Sequence, residues 1–224
     1  MDTRNGFVST AKADFYRTLA RSFLAPVARQ GAAAMLCGEL AGKLADLDRE
    51  IGYGIGPELN ACQHALDAVG YPEDLQLLYS QLFLGPPRRE RIDRAPPLDG
   101  EFDGERMREL EACYVGAGAT MSERLPVLAD HLVVQLAFLS RLYAEDARAP
   151  TPGRFIDCYP GRVVPALIAD IDAAGARFGL NANPYLHLAR ILQMAFEFDG
   201  ESLGQSSTPT GHRERGTGNA RDWR

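Results

Sequence analysis

The stretch from Pro126 to Tyr143 constrains the fold most. Leu128, Leu132, Leu136, Leu139 and Tyr143 recur three or four residues apart, and Val133, Val134 and Phe138 widen the stripe. Apolar residues at that period lie on one face of a helix. A face this broad cannot rest on solvent. It predicts a central helix that other helices must cover. Two polar residues, Asp130 and His131, interrupt it near its N-terminal end.

The covering helices are legible on either side. Phe15, Tyr16, Leu19, Phe23 and Leu24 predict an amphipathic helix from about Ser9 to Pro26, with Lys12, Asp14, Arg17 and Arg21 on its other face. Met35, Leu36, Leu40, Leu44 and Leu47 predict a second over 32–50. Gly52, Gly54, Gly56 and Pro57 form a loop before a third at about 58–69. Pro72-Glu73-Asp74 starts a fourth, because proline fits the first turn and acids face the positive end of the helix dipole. Leu75, Leu78, Tyr79, Leu82 and Phe83 are its apolar face, and Gly85-Pro86-Pro87 ends it. Arg88 to Gly104 has no period and is expected to be a long ordered loop.

A fifth helix is expected from about Asp103 to Gly116, with Met107, Leu110, Cys113 and Tyr114 inward. After the central helix and a polar connection at 145–153, a seventh is expected over about 154–178, kinked or split by Pro160 and Pro165. Asn183-Pro184 caps an eighth carrying Leu188, Ile191, Leu192, Ala195 and Phe196. No strand period of useful length occurs. The expectation is an all-α, single-domain bundle of about eight helices over 1–203, followed by a disordered, Gly/Ser/Thr-rich tail over 204–224.

Charge and composition narrow the function. A net charge of −6 argues against a general nucleic-acid binder, since phosphate contacts need a basic surface. Met1 to Lys12 hold no apolar run of signal-peptide length, and no stretch reaches the roughly 18–20 apolar residues of a membrane span. The expected location is the cytoplasm. Cys37, Cys62, Cys113 and Cys158 are scattered without a C-x-x-C pair, so buried free thiols are expected rather than a disulfide framework or metal site. His64, His131, His187 and His212 have no metal-ligand spacing. There is no P-loop, nucleophile elbow or H-E-x-x-H helix, and the glycines at 52, 54 and 56 lack the strand and lysine of a phosphate loop. No catalytic residue, metal or cofactor is assigned.

Two segments stand out. Asp130 and His131 are costly to bury unless they are hydrogen-bonded. They read as a helix-capping Asp with a satisfied His, or as a ligand-facing pair. Tyr79-Ser-Gln-Leu-Phe-Leu-Gly-Pro-Pro87 reads as core packing with a sharp stop, or as part of the same site. An acid–base pair of a hydrolytic or nucleotide-binding enzyme is a further reading of Asp130 and His131, although no nucleophile lies near them in sequence. A structural adaptor is another.

In order and spacing these segments resemble the TorD/DmsD/NarJ-type chaperones. The resemblance spans roughly residues 12–200. It rests on Phe15-Tyr16 to Phe23, on Tyr79, Leu82, Phe83, Gly85 and Pro86, and on Asp130-His131-Leu132 heading an apolar helix. It implies an all-helical, TorD-like cytoplasmic chaperone for molybdopterin-containing oxidoreductases. Such a chaperone binds the catalytic subunit's twin-arginine leader peptide or the apoenzyme and assists cofactor insertion before export or assembly. It also implies a monomer or a domain-swapped homodimer. The partner-binding residues it suggests here are Asp130, His131, Tyr79, Leu82, Phe83, Pro86, Leu132 and Gln135. The chain departs from the family at Gln135, where an acid is common, and in the basic loop Arg88-Arg-Glu-Arg-Ile-Asp-Arg94.

Overall fold

The computed structural model describes residues 3–26, 39–84, 104–119, 129–145, 150–180 and 182–205. Among them are nine helices and no strand. In chain order they are α1 (Thr3–Ser22), α2 (Leu40–Ile51), α3 (Gly56–Val69), α4 (Pro72–Phe83), α5 (Gly104–Gly116), α6 (Leu132–Ala144), α7 (Pro152–Cys158), α8 (Pro160–Phe178) and α9 (Pro184–Gln205). The all-α bundle expected from periodicity is what forms. Its ninth helix comes from the split that the prolines foretold. Pro86, the basic loop at 88–94, Leu128, Cys37 and the tail beyond Gln205 lie outside the described residues.

Three long helices carry the core. α1 packs on α6 and on α2, and α9 packs on α3, α7 and α8. Phe15, Tyr16, Leu19 and Phe23 of α1 are buried, as are Leu132, Leu136 and Leu139 of α6 and Leu188, Ile191 and Leu192 of α9. Ring contacts join them: Tyr16 stacks on Tyr143 with centroids 5.6 Å apart and on Phe196 at 5.9 Å. Side chains this large, fully withdrawn from water, contribute about 1.5–3 kcal/mol each before chain entropy is set against them.

Helix limits follow local chemistry. Pro160 has no N–H and opens α8 at its first turn, while Tyr159 before it leaves the helical region (φ −127°, ψ −87°). α7 and α8 then approach so closely that a Cβ on Gly161 would lie 2.8 Å from the Ile156 carbonyl oxygen, so only glycine fits there. Pro165 stays inside α8. α9 starts at Pro184 as expected, but not through an Asn183 side-chain cap. Neither amide atom of Asn183 has a hydrogen-bond partner among the described residues, and it is the Asn183 carbonyl that accepts from the Leu186 N–H at 3.2 Å. α1 starts at Thr3, about six residues before the expected Ser9, with Phe7 exposed. The sequence there, Thr3-Arg-Asn-Gly-Phe-Val-Ser, carries no apolar stripe to read. In the glycine loop, the Asp48 carboxylate takes the N–H groups of Gly54 (2.9 Å) and Ile55 (3.2 Å).

One polar cluster ties the core helices. The carboxylate of Asp199, on α9, is fully buried. Its Oδ2 accepts hydroxyl bonds from Tyr16 (2.6 Å), Tyr143 (2.6 Å) and Tyr53 (3.0 Å). Its Oδ1 accepts from Lys12 Nζ at 2.5 Å. Lys12 therefore points inward. The sequence reading that set it on the solvent face of α1 is corrected. The Lys12 ammonium also lies 5.4–5.8 Å from the ring centroids of Tyr53, Tyr143 and Phe198, a favourable cation–π range. Burial first, then the Asp199 carboxylate and, for Tyr16 and Tyr53, the neighbouring Tyr143 phenol push Tyr16, Tyr53 and Tyr143 far above the ordinary tyrosine range, so they remain donors. Removing one member of a buried pair leaves its partner uncompensated, at about 3–5 kcal/mol. Asp199→Asn is expected to destabilise the bundle by that order in urea unfolding, with Lys12→Met in the same background restoring part of the loss. Unchanged stability in Asp199→Asn would remove the cluster from this role.

Candidate functional site

The head of α6 is built differently from the sequence expectation. The helix begins at Leu132, not near Pro126, and its N-cap is His131 rather than Asp130. His131 has extended backbone (φ −61°, ψ 132°), and its Nδ1 accepts the Val133 N–H at 3.2 Å. Its carbonyl accepts from the N–H groups of Val134 (2.9 Å) and Gln135 (3.1 Å). The imidazole thus satisfies one of the orphan donors every helix start carries. Accepting that bond requires an unprotonated Nδ1, so the capping form is the neutral ring with its proton on Nε2.

Asp130 precedes the cap and is 3% exposed. Two bonds position its backbone. Gln135 Nε2 donates to the Asp130 carbonyl at 2.5 Å, and the Tyr114 hydroxyl donates to the Ala129 carbonyl at 2.9 Å. Gln135 is fully buried and its Oε1 has no hydrogen-bond partner among the described residues. The departure from the family's acid has a structural meaning here, since a carboxylate could not donate to the Asp130 carbonyl. Tyr114 comes from α5 and packs edge-on against Phe138 of α6 at 4.7 Å. Burial first, then the neighbouring Cys113 and Asp130, push its phenol well above the usual range. Sequence reading placed Tyr114 in the core but missed its grip on the Asp130 turn. The available signal was a tyrosine closing the apolar stripe Met107, Leu110 and Cys113.

The residues of α4 have other neighbours. Tyr79 donates to the Phe23 carbonyl at 3.2 Å. Its ring lies 4.8 Å from that of Phe83 and 5.6 Å from that of Tyr185, and Phe83 meets Tyr185 edge-on at 5.3 Å. This aromatic group joins α4 to the end of α1 and the start of α9. Leu82 and Leu132 are fully buried, so they act through packing, while Phe83 is half-buried. The structure brings Asp130, His131, Leu132 and Gln135 together at one helix head. It builds Tyr79, Leu82 and Phe83 into the α1–α4–α9 seam.

Among the described residues no group of three or more His, Cys, Asp or Glu side chains is arranged to hold a metal ion, and no helix is long and apolar enough to cross a membrane. The architecture is that of an all-helical bundle whose polar turn heads a buried helix. Residues 54–154 match the family model of the nitrate reductase delta subunit. That match agrees with the resemblance carried by the motifs, and the matched segment contains both the Tyr79 and the Asp130-His131 segments. No curated protein and no solved structure matches the chain.

Substituting Gln135 tests the turn's construction. Gln135→Glu would leave the Asp130 carbonyl without its donor and bury a second carboxylate beside Asp130. The expected loss is at least ~1–3 kcal/mol, read as a lowered midpoint in chemical unfolding. A variant as stable as wild type would show that the Gln135 bond does not hold the turn.

Proposed function

We propose that this chain is a cytoplasmic maturation chaperone. It binds the leader peptide, the enzyme body, or both, of a molybdopterin-containing oxidoreductase subunit and assists cofactor insertion before export or assembly. It breaks no covalent bond itself. The observation that carries this reading is that the segment matching the nitrate reductase delta subunit model, 54–154, contains both Tyr79–Pro86 and Asp130–Gln135.

The proposed contact surface centres on the head of α6. Asp130 supplies a carboxylate that exchanges its present contacts for a basic group of the client. His131 supplies Nε2–H while Nδ1 keeps the helix cap. Leu132 and Gln135 hold the turn from below. Tyr79, Leu82, Phe83 and Pro86, which the resemblance also implicates, are a second contact for an extended or helical client segment. A hydrogen bond to a charged group contributes roughly 1.5–3 kcal/mol.

Titration calorimetry with a client leader peptide, and separately with the cofactor-free catalytic subunit, tests this directly. Asp130→Ala is expected to weaken binding about 10- to 100-fold. His131→Ser isolates the imidazole, because serine also caps helices well. It is expected to keep the melting temperature and lose affinity. If both variants bind both ligands as tightly as wild type, the α6 head is not the client site. If neither ligand binds the wild-type protein, the chaperone reading itself fails.

A further inference from the structure

A cavity of about 300 Å³ opens where the end of α7 meets α8 and α9. Every residue lining it lies beyond the segment 54–154 that the family model matches. Its floor is apolar, since Ile156, Val164 and Phe196 are buried. Gly161 of α8 and Gly200 of α9 make the hollow, because neither has a side chain to fill it. Gly200 also makes room for the Asp157 carboxylate, whose Oδ1 lies 3.8 Å from where a Cβ on Gly200 would stand. Glu197 precedes Gly200 by about one helical turn, on the same face of α9. Asp157 and Glu197 therefore share one rim of the cavity, and both are exposed.

Acceptors outnumber donors around this hollow. Pro160 and Pro165 have no N–H, so the carbonyls four residues before them, on Ile156 and Gly161, lack the donor a helix would supply. The donors at hand are already engaged: Arg162 Nε gives to the Asp157 carbonyl at 3.0 Å, and Gln193 Nε2 to Glu197 Oε1 at 2.9 Å. Among the described residues neither carboxylate has an ion-pair partner. Two like charges on one rim repel, and a cation between them relieves both.

We infer that this cavity binds a small molecule carrying a guanidinium on a short aliphatic stem. The inference does not depend on the proposed client binding. The stem rests on Ile156, Val164 and Phe196, and the cation takes the free oxygens of Asp157 and Glu197. A guanidinium suits the site better than an ammonium. Its planar fork of five donors reaches acceptors on separate helices, and its weaker hydration makes it easier to bring against an apolar floor. The occupant is a free molecule rather than a partner's side chain. None of the large exposed apolar residues among those described lines the cavity, so a partner would find no apolar surface there to rest on.

The test titrates the isotope-labelled full chain with butylguanidinium and follows the amide resonances by NMR. Pentanol, a neutral molecule with a similar stem, and N-acetylarginine methylamide, an arginine flanked by peptide groups, serve as comparisons. Butylguanidinium is expected to shift the Gly161 and Gly200 signals saturably, and pentanol at the same concentration to leave them in place. Asp157→Asn combined with Glu197→Gln keeps the shape of the cavity and is expected to weaken binding about 10- to 100-fold. Because both side chains are exposed, this variant is expected to keep the wild-type melting temperature. Gly200→Leu fills the hollow and is expected to abolish the shift at Gly161. The proposal is overturned if butylguanidinium moves neither glycine signal, if pentanol binds equally well, or if the double variant binds like wild type. Tighter binding of the flanked arginine than of butylguanidinium would also overturn it, by giving the cavity to a partner's residue.

Discussion

The Asp199 carboxylate is the constraint on which the arrangement of the long helices depends. A buried carboxylate is tolerable only if paired and hydrogen-bonded, and here four donors from three other parts of the chain converge on it. Lys12 and Tyr16 fix α1, Tyr53 fixes the α2–α3 connection, and Tyr143 fixes the end of α6. Apolar burial is non-directional, and one carboxylate with four donors adds a directional constraint on how α1, α6 and α9 sit. The opposite end of α6, where Asp130 and His131 sit, inherits its position from this lock through thirteen residues of rigid helix.

Much of the fold was legible because burial writes itself as period. The stripes at Leu75–Phe83 and Leu132–Tyr143 mark helices the structure contains, and Pro72, Pro160 and Pro184 mark helix starts. What escaped reading did so for physical reasons. Gly6 and Thr10 are exposed, and Ser9 meets α6 only through its hydroxyl, which donates to the Tyr143 carbonyl, so no apolar pattern records this turn. Lys12 sits among charged neighbours on α1 and looked solvent-facing. Its partner lies 187 residues away, and pattern along the chain carries no trace of such pairing. Asp199 did carry a signal, an acid set between Phe196, Phe198 and Gly200 in an apolar run.

The candidate site was legible as residues and not as roles. Periodicity drew attention to Asp130 and His131 but ran the helix through them, because Leu128 continues the stripe. The chain instead turns at Ala129–Asp130 and starts the helix at Leu132. Capping then falls to His131, which the usual preference for Asp, Asn, Ser and Thr would not single out. Gln135 shows the same limit. As a letter it is a departure from the family pattern, whereas in the structure its amide does what an acid could not. The family match over 54–154 supports the proposed functional class, and the geometry supplies a polar turn held by Gln135 and Tyr114.

The central claim is that this chain helps load a molybdopterin oxidoreductase, and cofactor content measures that most directly. A client catalytic subunit would be produced in cells with the chain, without it, and with Asp130→Ala, and the molybdenum bound per purified subunit would be determined. The account expects loading to fall without the chain, to recover with wild type, and to recover incompletely with the variant. Full loading in its absence would contradict it.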